Sequence, residues 1–223
     1  MEADRAFRKV KLTTPRAAAL AGILFSVLLI TSLAIIRISV PADQADVGEW
    51  ISDSWKIVNI ALNIVPFAGI AFLWFIGVVR DRLGQDEDRF FATVFLGSGL
   101  LFLGLLFMSA AIAGSTINLY GSSQNIPISS GIYTFGRTTT YEIMNVYTMK
   151  MAGVFMISTC TLSLRTGIIP RWMAFLGIVL ALFLLFSIGF FAWASLVFPL
   201  WVFLISVHIL IANMGGPSAE SVL

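Results

Sequence analysis

Apolar residues run along this chain in six long stretches, each bounded by short polar or charged pieces. The stretches fall at about residues 17–36, 57–79, 90–113, 141–164, 172–191 and 196–213. An α-helix rises 1.5 Å per residue, so about 20 apolar residues cross a hydrocarbon layer of about 30 Å. The pattern predicts an all-α, polytopic transmembrane helix bundle of six spans over residues 17–213. A basic tail over 1–16 precedes it and a short tail over 214–223 follows.

Composition points the same way. Hydrophobic residues make up 58% of the chain and charged residues 12%, about half the charged fraction of a soluble domain. Six spans in 223 residues leave no room for a second domain. The first stretch is too long for the apolar region of a cleaved signal peptide and reads as a permanent span. No lipidation motif is present. The single cysteine, Cys160, cannot form an internal disulfide and reads as a small buried apolar residue.

The charges set an expected orientation. Arg5, Arg8, Lys9, Lys11 and Arg16 precede span 1, Arg80, Arg82 and Arg89 separate spans 2 and 3, and Arg165 and Arg171 separate spans 4 and 5. The opposite side carries Arg37, Lys56 and Arg137, with Asp43, Asp46, Glu49 and Asp53 beside the first two. Lys and Arg collect in cytoplasmic loops, so both termini are expected in the cytoplasm. The uncharged run 172–213 needs a tight turn near 191–195, with Pro199 in the first turn of span 6, where its missing N–H costs nothing. One long kinked helix, giving five spans, is the alternative.

Trp50, Trp55, Trp172 and Trp193 fall where headgroups are expected. Residues 37–56 form an acidic connector with Pro41 and room for an interfacial piece at 49–55. Residues 114–140, rich in Gly, Ser, Thr and Asn, read as a long outer loop. That loop is either a solvated connector or a cap over an outer cavity. Tyr120, Tyr133, Tyr141 and Tyr147 gather around it. The pairs Gly22/Ser26, Ala110/Gly114 and Gly177/Ala181 have the spacing that lets helices approach closely in lipid. Phe7, Val10 and Leu12 interleave the tail cations, so the tail is expected to lie on anionic headgroups at about 1 kcal/mol per close cation.

Polar groups at membrane depth are costly and often functional. Lys150 lies about 13 Å into span 4, near the midplane. Glu142 and Asn145 precede it on the same span. Asn59 and Asn63, four apart on span 2, share a helix face at similar depth. Asn59, Asn63, Glu142, Asn145, Tyr147 and Lys150 are therefore the candidate ligand-binding cluster. Three roles are open to it: hydrogen bonding between helices, binding of an anionic ligand by Lys150, or chemistry on the lysine. No acid lies deep enough to partner Lys150 obviously, since Glu142 is about 12 Å away along the helix.

Other chemistry is poorly supplied. The only histidine, His208, has no Cys, Asp or Glu cluster beside it, so neither a metal site nor a cofactor is expected. Ser98, between Gly97 and Gly99, could pair with His208 only as an intramembrane serine protease would, and it lacks that class's Gly-x-Ser pattern. No phosphate loop or dinucleotide fingerprint occurs, and nothing supports nucleic-acid binding beyond the short basic tail.

Residues 165–172 read Arg-Thr-Gly-Ile-Ile-Pro-Arg-Trp, and 198–201 read Phe-Pro-Leu-Trp. This third of the chain, residues 165–206, resembles a bacterial family of six-helix membrane proteins of unknown function. In that family a Gly-x-x-Pro-Arg-Trp loop feeds span 5 and a Phe-Pro-Leu-Trp element opens span 6. The resemblance implies six spans and a bacterial inner membrane, and carries no activity or site residue.

The leading expectation is a non-enzymatic binding or transport-type protein, or an accessory subunit. It would hold a small or lipid-like anionic ligand in an outer-half polar cavity, with membrane lipids and other membrane proteins as partners. The alternatives are a membrane-embedded enzyme acting on a lipid-phase substrate and a structural subunit of a larger complex. The topology is tested with a membrane-impermeant thiol reagent applied from outside. A cysteine placed at position 125 is labelled and one at position 85 is spared; the reverse pattern inverts the orientation.

Overall fold

The structure is a computed structural model and describes residues 14–41, 48, 50–83, 89–122, 131–167, 169–186 and 193–214. Every regular element among them is helical. In order they are α1 (Thr14–Ser39), α2 (Ile51–Leu83), α3 (Arg89–Ser122), α4 (Gly131–Glu142), a π-helical segment (Ile143–Thr148), α5 (Met149–Thr166), α6 (Arg171–Phe186), a 3-10 turn (Ala194–Leu196) and α7 (Val197–Met214). The first thirteen residues of the predicted basic tail, residues 215–223 of the second tail, and Asp43, Asp46 and Glu49 lie outside the described residues.

Four helical stretches are long and apolar enough to cross a membrane: Ala17–Ser39, Ile51–Arg80, Thr93–Gly121 and Ala194–Ala212. This marks the chain as a membrane protein. The other two candidate spans look different for identifiable reasons. Span 4 lies in a rod whose α-helical hydrogen bonding is interrupted by the π segment, and α6 is described over 16 residues, about 24 Å of helix. The outside of the bundle is apolar, with Phe67, Trp74, Phe175 and Val179 all exposed, as lipid contact requires.

Hydroxyls survive on these helices because their own backbone absorbs them. Ser98 donates to the Val94 carbonyl at 2.6 Å, Thr116 to Ile112 at 2.8 Å and Thr159 to Phe155 at 2.7 Å. The same device corrects the predicted outer loop over 114–140. Helix continues to Ser122 and resumes at Gly131, so only the middle of that stretch lies outside the described helices. Its polar composition resembles that of a loop, but Thr116 bonds back to its own helix. Gly136 sits so close to Thr116 that a Cβ there would collide with its side chain. The expected interfacial piece at 49–55 is likewise absorbed, from Ile51 onward, into the first turns of α2.

Helix ends follow their sequences. Gly167 takes the left-handed conformation, φ 69°, and its N–H bonds the Ser163 carbonyl at 2.9 Å, which closes α5. Pro170 then opens α6, its carbonyl accepting from Met173 at 3.0 Å and Ala174 at 3.2 Å. A turn and a 3-10 stretch precede α7, so α6 and α7 are separate helices, with Pro199 in the first turn of α7. Pro66 lies inside α2, where it removes the hydrogen bond to the Leu62 carbonyl.

α1 packs along α2 on one side and α7 on the other; α3 joins α2 to the α4–α5 rod, and α6 rests on α5. Small residues set two of these approaches. A Cβ on Gly22 would strike Ser206 of α7 and Phe75 of α2, and one on Gly177 would strike Cys160 of α5. Ala110 and Gly114 behave otherwise: Gly114 has only Leu62 near it, at 3.9 Å, and Ala110 lines a cavity.

The core centres on phenylalanine. Phe72 of α2 lies 4.6 Å from Phe25 of α1, 5.3 Å from Phe102 of α3, 5.2 Å from Phe155 of α5 and 5.6 Å from Phe198 of α7, between ring centroids. All five rings are fully buried. In lipid the water-transfer gain of burying a ring falls away and the packing remains. Phe72→Ala is therefore expected to cost roughly 2 kcal/mol, at about 24 cal/mol per Å³ for a void of about 100 Å³. Unfolding in mixed detergent micelles measures it; an unchanged midpoint contradicts the hub.

Candidate functional site

Away from the phenylalanines, toward the end where α1 finishes and α2 begins, the helices separate around two adjoining cavities. The first, of about 170 Å³, is walled by apolar and small residues such as Val58, Leu62, Leu106, Ala110 and Ala113. The second, of about 230 Å³, is polar at its walls: Arg37, Arg137, Tyr141, Glu142, Asn145 and Ser195. Leu33, Ile36, Val40, Arg137, Thr140 and Met144 line both, so the two chambers share a wall.

Each polar group has a local reason for its place. Arg37 stands in the last turn of α1, where a cation suits the helix dipole. Arg137 donates to the Tyr133 hydroxyl at 3.2 Å and to the Pro41 carbonyl at 2.9 Å. The Tyr133 hydroxyl also accepts from Trp50 at 3.2 Å. Tyr133 stacks edge-on against Tyr120, 5.8 Å away, and Ile51 completes this small buried cluster. A Cβ at Gly121 would stand 2.7 Å from the Trp55 ring, which brings the end of α3 down onto α2. The aromatic cluster thus caps the apolar chamber and fixes the arginine at the entrance of the polar one.

The π segment forms the rest of the wall. Its hydrogen bonds span five residues, and Thr148 repeats the pattern with its side chain, donating to the Ile143 carbonyl at 2.7 Å. Such wide turns occur mostly as local interruptions of α-helices and frequently at functional sites. Just before it, the Thr140 carbonyl accepts from Ser109 at 3.1 Å, while the Thr140 hydroxyl is buried without a partner among the described residues. That hydroxyl sits on one of the residues common to both chambers. A buried donor left unmatched invites a ligand or water to satisfy it.

The sequence-predicted cluster divides between two places. Glu142 and Asn145 line the polar chamber, with the Asn145 amide donating to the Tyr141 carbonyl at 3.1 Å. Tyr147 is exposed and Lys150 half-buried, and neither lines these two chambers. Asn59 and Asn63 lie on the outer face of α2 and line neither. The Asn59 amide donates to Asn118 of α3 at 3.0 Å, and the Asn63 amide to the Asn59 carbonyl at 2.9 Å. Sequence reasoning placed Arg37 and Arg137 on one side of the membrane, and they line one cavity, but it left them out of the site. It missed Asn118 and Thr140, which stood in the segment read as loop.

Comparison with known protein families, curated proteins and solved structures gave no match. The site must speak through its own geometry. It offers a largely apolar compartment, an adjoining polar one with two guanidinium groups and one carboxylate, and no group of three or more His, Cys, Asp or Glu for a metal among the described residues.

Tyr133→Phe removes the acceptor that joins Trp50 to Arg137. Two part-buried hydrogen bonds at about 0.5–1.5 kcal/mol each predict a loss of roughly 1–2 kcal/mol in thermal unfolding in detergent. An unaltered transition contradicts the cap.

Proposed function

We propose that this protein is a six-span membrane protein with both termini in the cytoplasm that binds a lipid-like amphiphile with an anionic head. Its tail occupies the apolar chamber and its head lies beside Arg37 and Arg137. The observation that carries the reading is the shared wall of an apolar chamber and a cationic one. A soluble polar ligand would have no use for the first, and a plain hydrocarbon none for the second.

The energetics favour the head as the source of recognition. A tail gains little by leaving hydrocarbon for an equally apolar cavity. Guanidinium groups instead bind phosphate or carboxylate through paired, charge-assisted hydrogen bonds. The start of α7 supports the same sign of charge. Ser195 and Leu196, just before it, line the polar chamber, and a helix N-terminus carries partial positive charge. Thr140 supplies a further donor between head and tail. Orientation rests on the distribution of basic residues in the sequence, which puts the chambers in the outer half of the membrane. A bacterial inner membrane rests on the resemblance of residues 165–206. On this reading Lys150 serves the bundle rather than the ligand.

Mass spectrometry of the protein purified in mild detergent identifies the ligand as a copurifying anionic lipid. Ala113→Phe fills the apolar chamber from within. It is expected to lower the copurified lipid at least tenfold while leaving the thermal transition unchanged or raised. Undiminished lipid in a folded Ala113→Phe protein overturns the assignment.

A further inference from the structure

The α2–α3 face turned away from the chambers carries amide groups where lipid contact would favour none. Trp55 marks the headgroup level, and Asn63 lies eight residues further along α2, about 12 Å deeper. Asn63 and Asn118 are exposed and Asn59 is half-buried between them. The three form a ladder: Asn63 donates to the Asn59 backbone at 2.9 Å and to its side-chain oxygen at 3.5 Å, and Asn59 donates to Asn118 at 3.0 Å. The side-chain oxygen of Asn63 accepts nothing among the described residues. In hydrocarbon that acceptor has no water to turn to.

The surface around the ladder is otherwise apolar, with Ile60, Phe67 and Ile70 exposed on α2. Ala111 of α3 is exposed, and nothing lies within 4 Å of where a Cβ on Gly104 would stand, so another helix can come close. We propose that this face binds a second copy of the chain, Asn63 meeting its own counterpart across a two-fold axis. A primary amide is donor and acceptor at once, so the same face turned through half a revolution complements itself. Among the described residues, no charged side chain bonds to the Asn59 or Asn63 amide to select a partner of opposite sign. Amide pairs between helices are among the recognised means of association in lipid. The inference is independent of the amphiphile site, because Asn59, Asn63 and Asn118 line neither chamber.

The test keeps the asparagines in place. In a Cys160→Ala background, Phe67→Cys puts a thiol one turn from Asn63, and Val179→Cys puts one on the exposed face of α6. Both proteins are oxidised in membranes with copper phenanthroline. Position 67 is expected to give at least tenfold more disulfide-linked homodimer than position 179. Adding Asn63→Leu to Phe67→Cys should cut that yield at least fivefold. Equal yields at 67 and 179, or a product at 67 that contains a different protein, overturn the proposal. An undiminished yield from a folded Asn63→Leu protein does so as well. If Asn63→Leu fails to fold, the comparison of positions 67 and 179 decides alone.

Discussion

Phe72 is in ring contact with four phenylalanines from four other helices, at centroid separations from 4.6 Å to 5.6 Å. In water such a cluster would be one contribution among many. In lipid, where leaving solvent gains nothing, shape is most of what holds helices together. The hub ties α1, α2, α3, α5 and α7 at one level of the bundle. The lining residues of the apolar chamber lie further along: Leu33 and Ile36 beyond Phe25 on α1, Val58 and Leu62 ahead of Phe72 on α2, Leu106 and Ala110 beyond Phe102 on α3. The helices can separate there because they are clamped elsewhere. The small residues at Ala110, Ala113 and Gly136 leave the space unfilled, and the Trp50–Tyr133–Tyr120 cluster closes its end.

The π segment links this packing to the site. α5 meets the hub through Phe155, while α4 meets the aromatic cap through Tyr133. A single α-helical register would have to satisfy both ends of the rod at once. The wider turn at Ile143–Thr148 lets the two ends present different faces and puts Met144 and Asn145 on the chamber walls. Just ahead of it, the Thr140 hydroxyl is unmatched among the described residues.

Much of this was legible in the sequence, and the remainder was hidden for physical reasons. Run length gave the helices, and Pro199 and the Gly167–Pro170 loop gave their ends. Four-residue spacing put Asn59 and Asn63 together. Depth along a helix follows from counting residues, but the direction a residue faces within a bundle depends on its neighbours. Hence Lys150 could be placed at the level of Asn63 and still not join it. The count from Glu142 to Lys150 also passes through the π segment, where 3.6-residue reasoning fails. Asn118 and Thr140 were obscured because polar composition in 114–140 resembles a loop, whereas Thr116 and Gly136 show that the residues belong to packed helices. The phenylalanines were plain in the composition, but nothing in their spacing said that five of them converge.

The account stands on a chamber that is held open and occupied. A crystal structure of the protein grown from a lipid mesophase, after purification without delipidation, tests this directly. The account predicts elongated density between Leu106, Ala110 and Ala113, ending in a head group beside Arg37 and Arg137. Helices closed onto one another at Ala110 and Ala113, with no space between Thr140 and Met144 and the α1 wall, would contradict it.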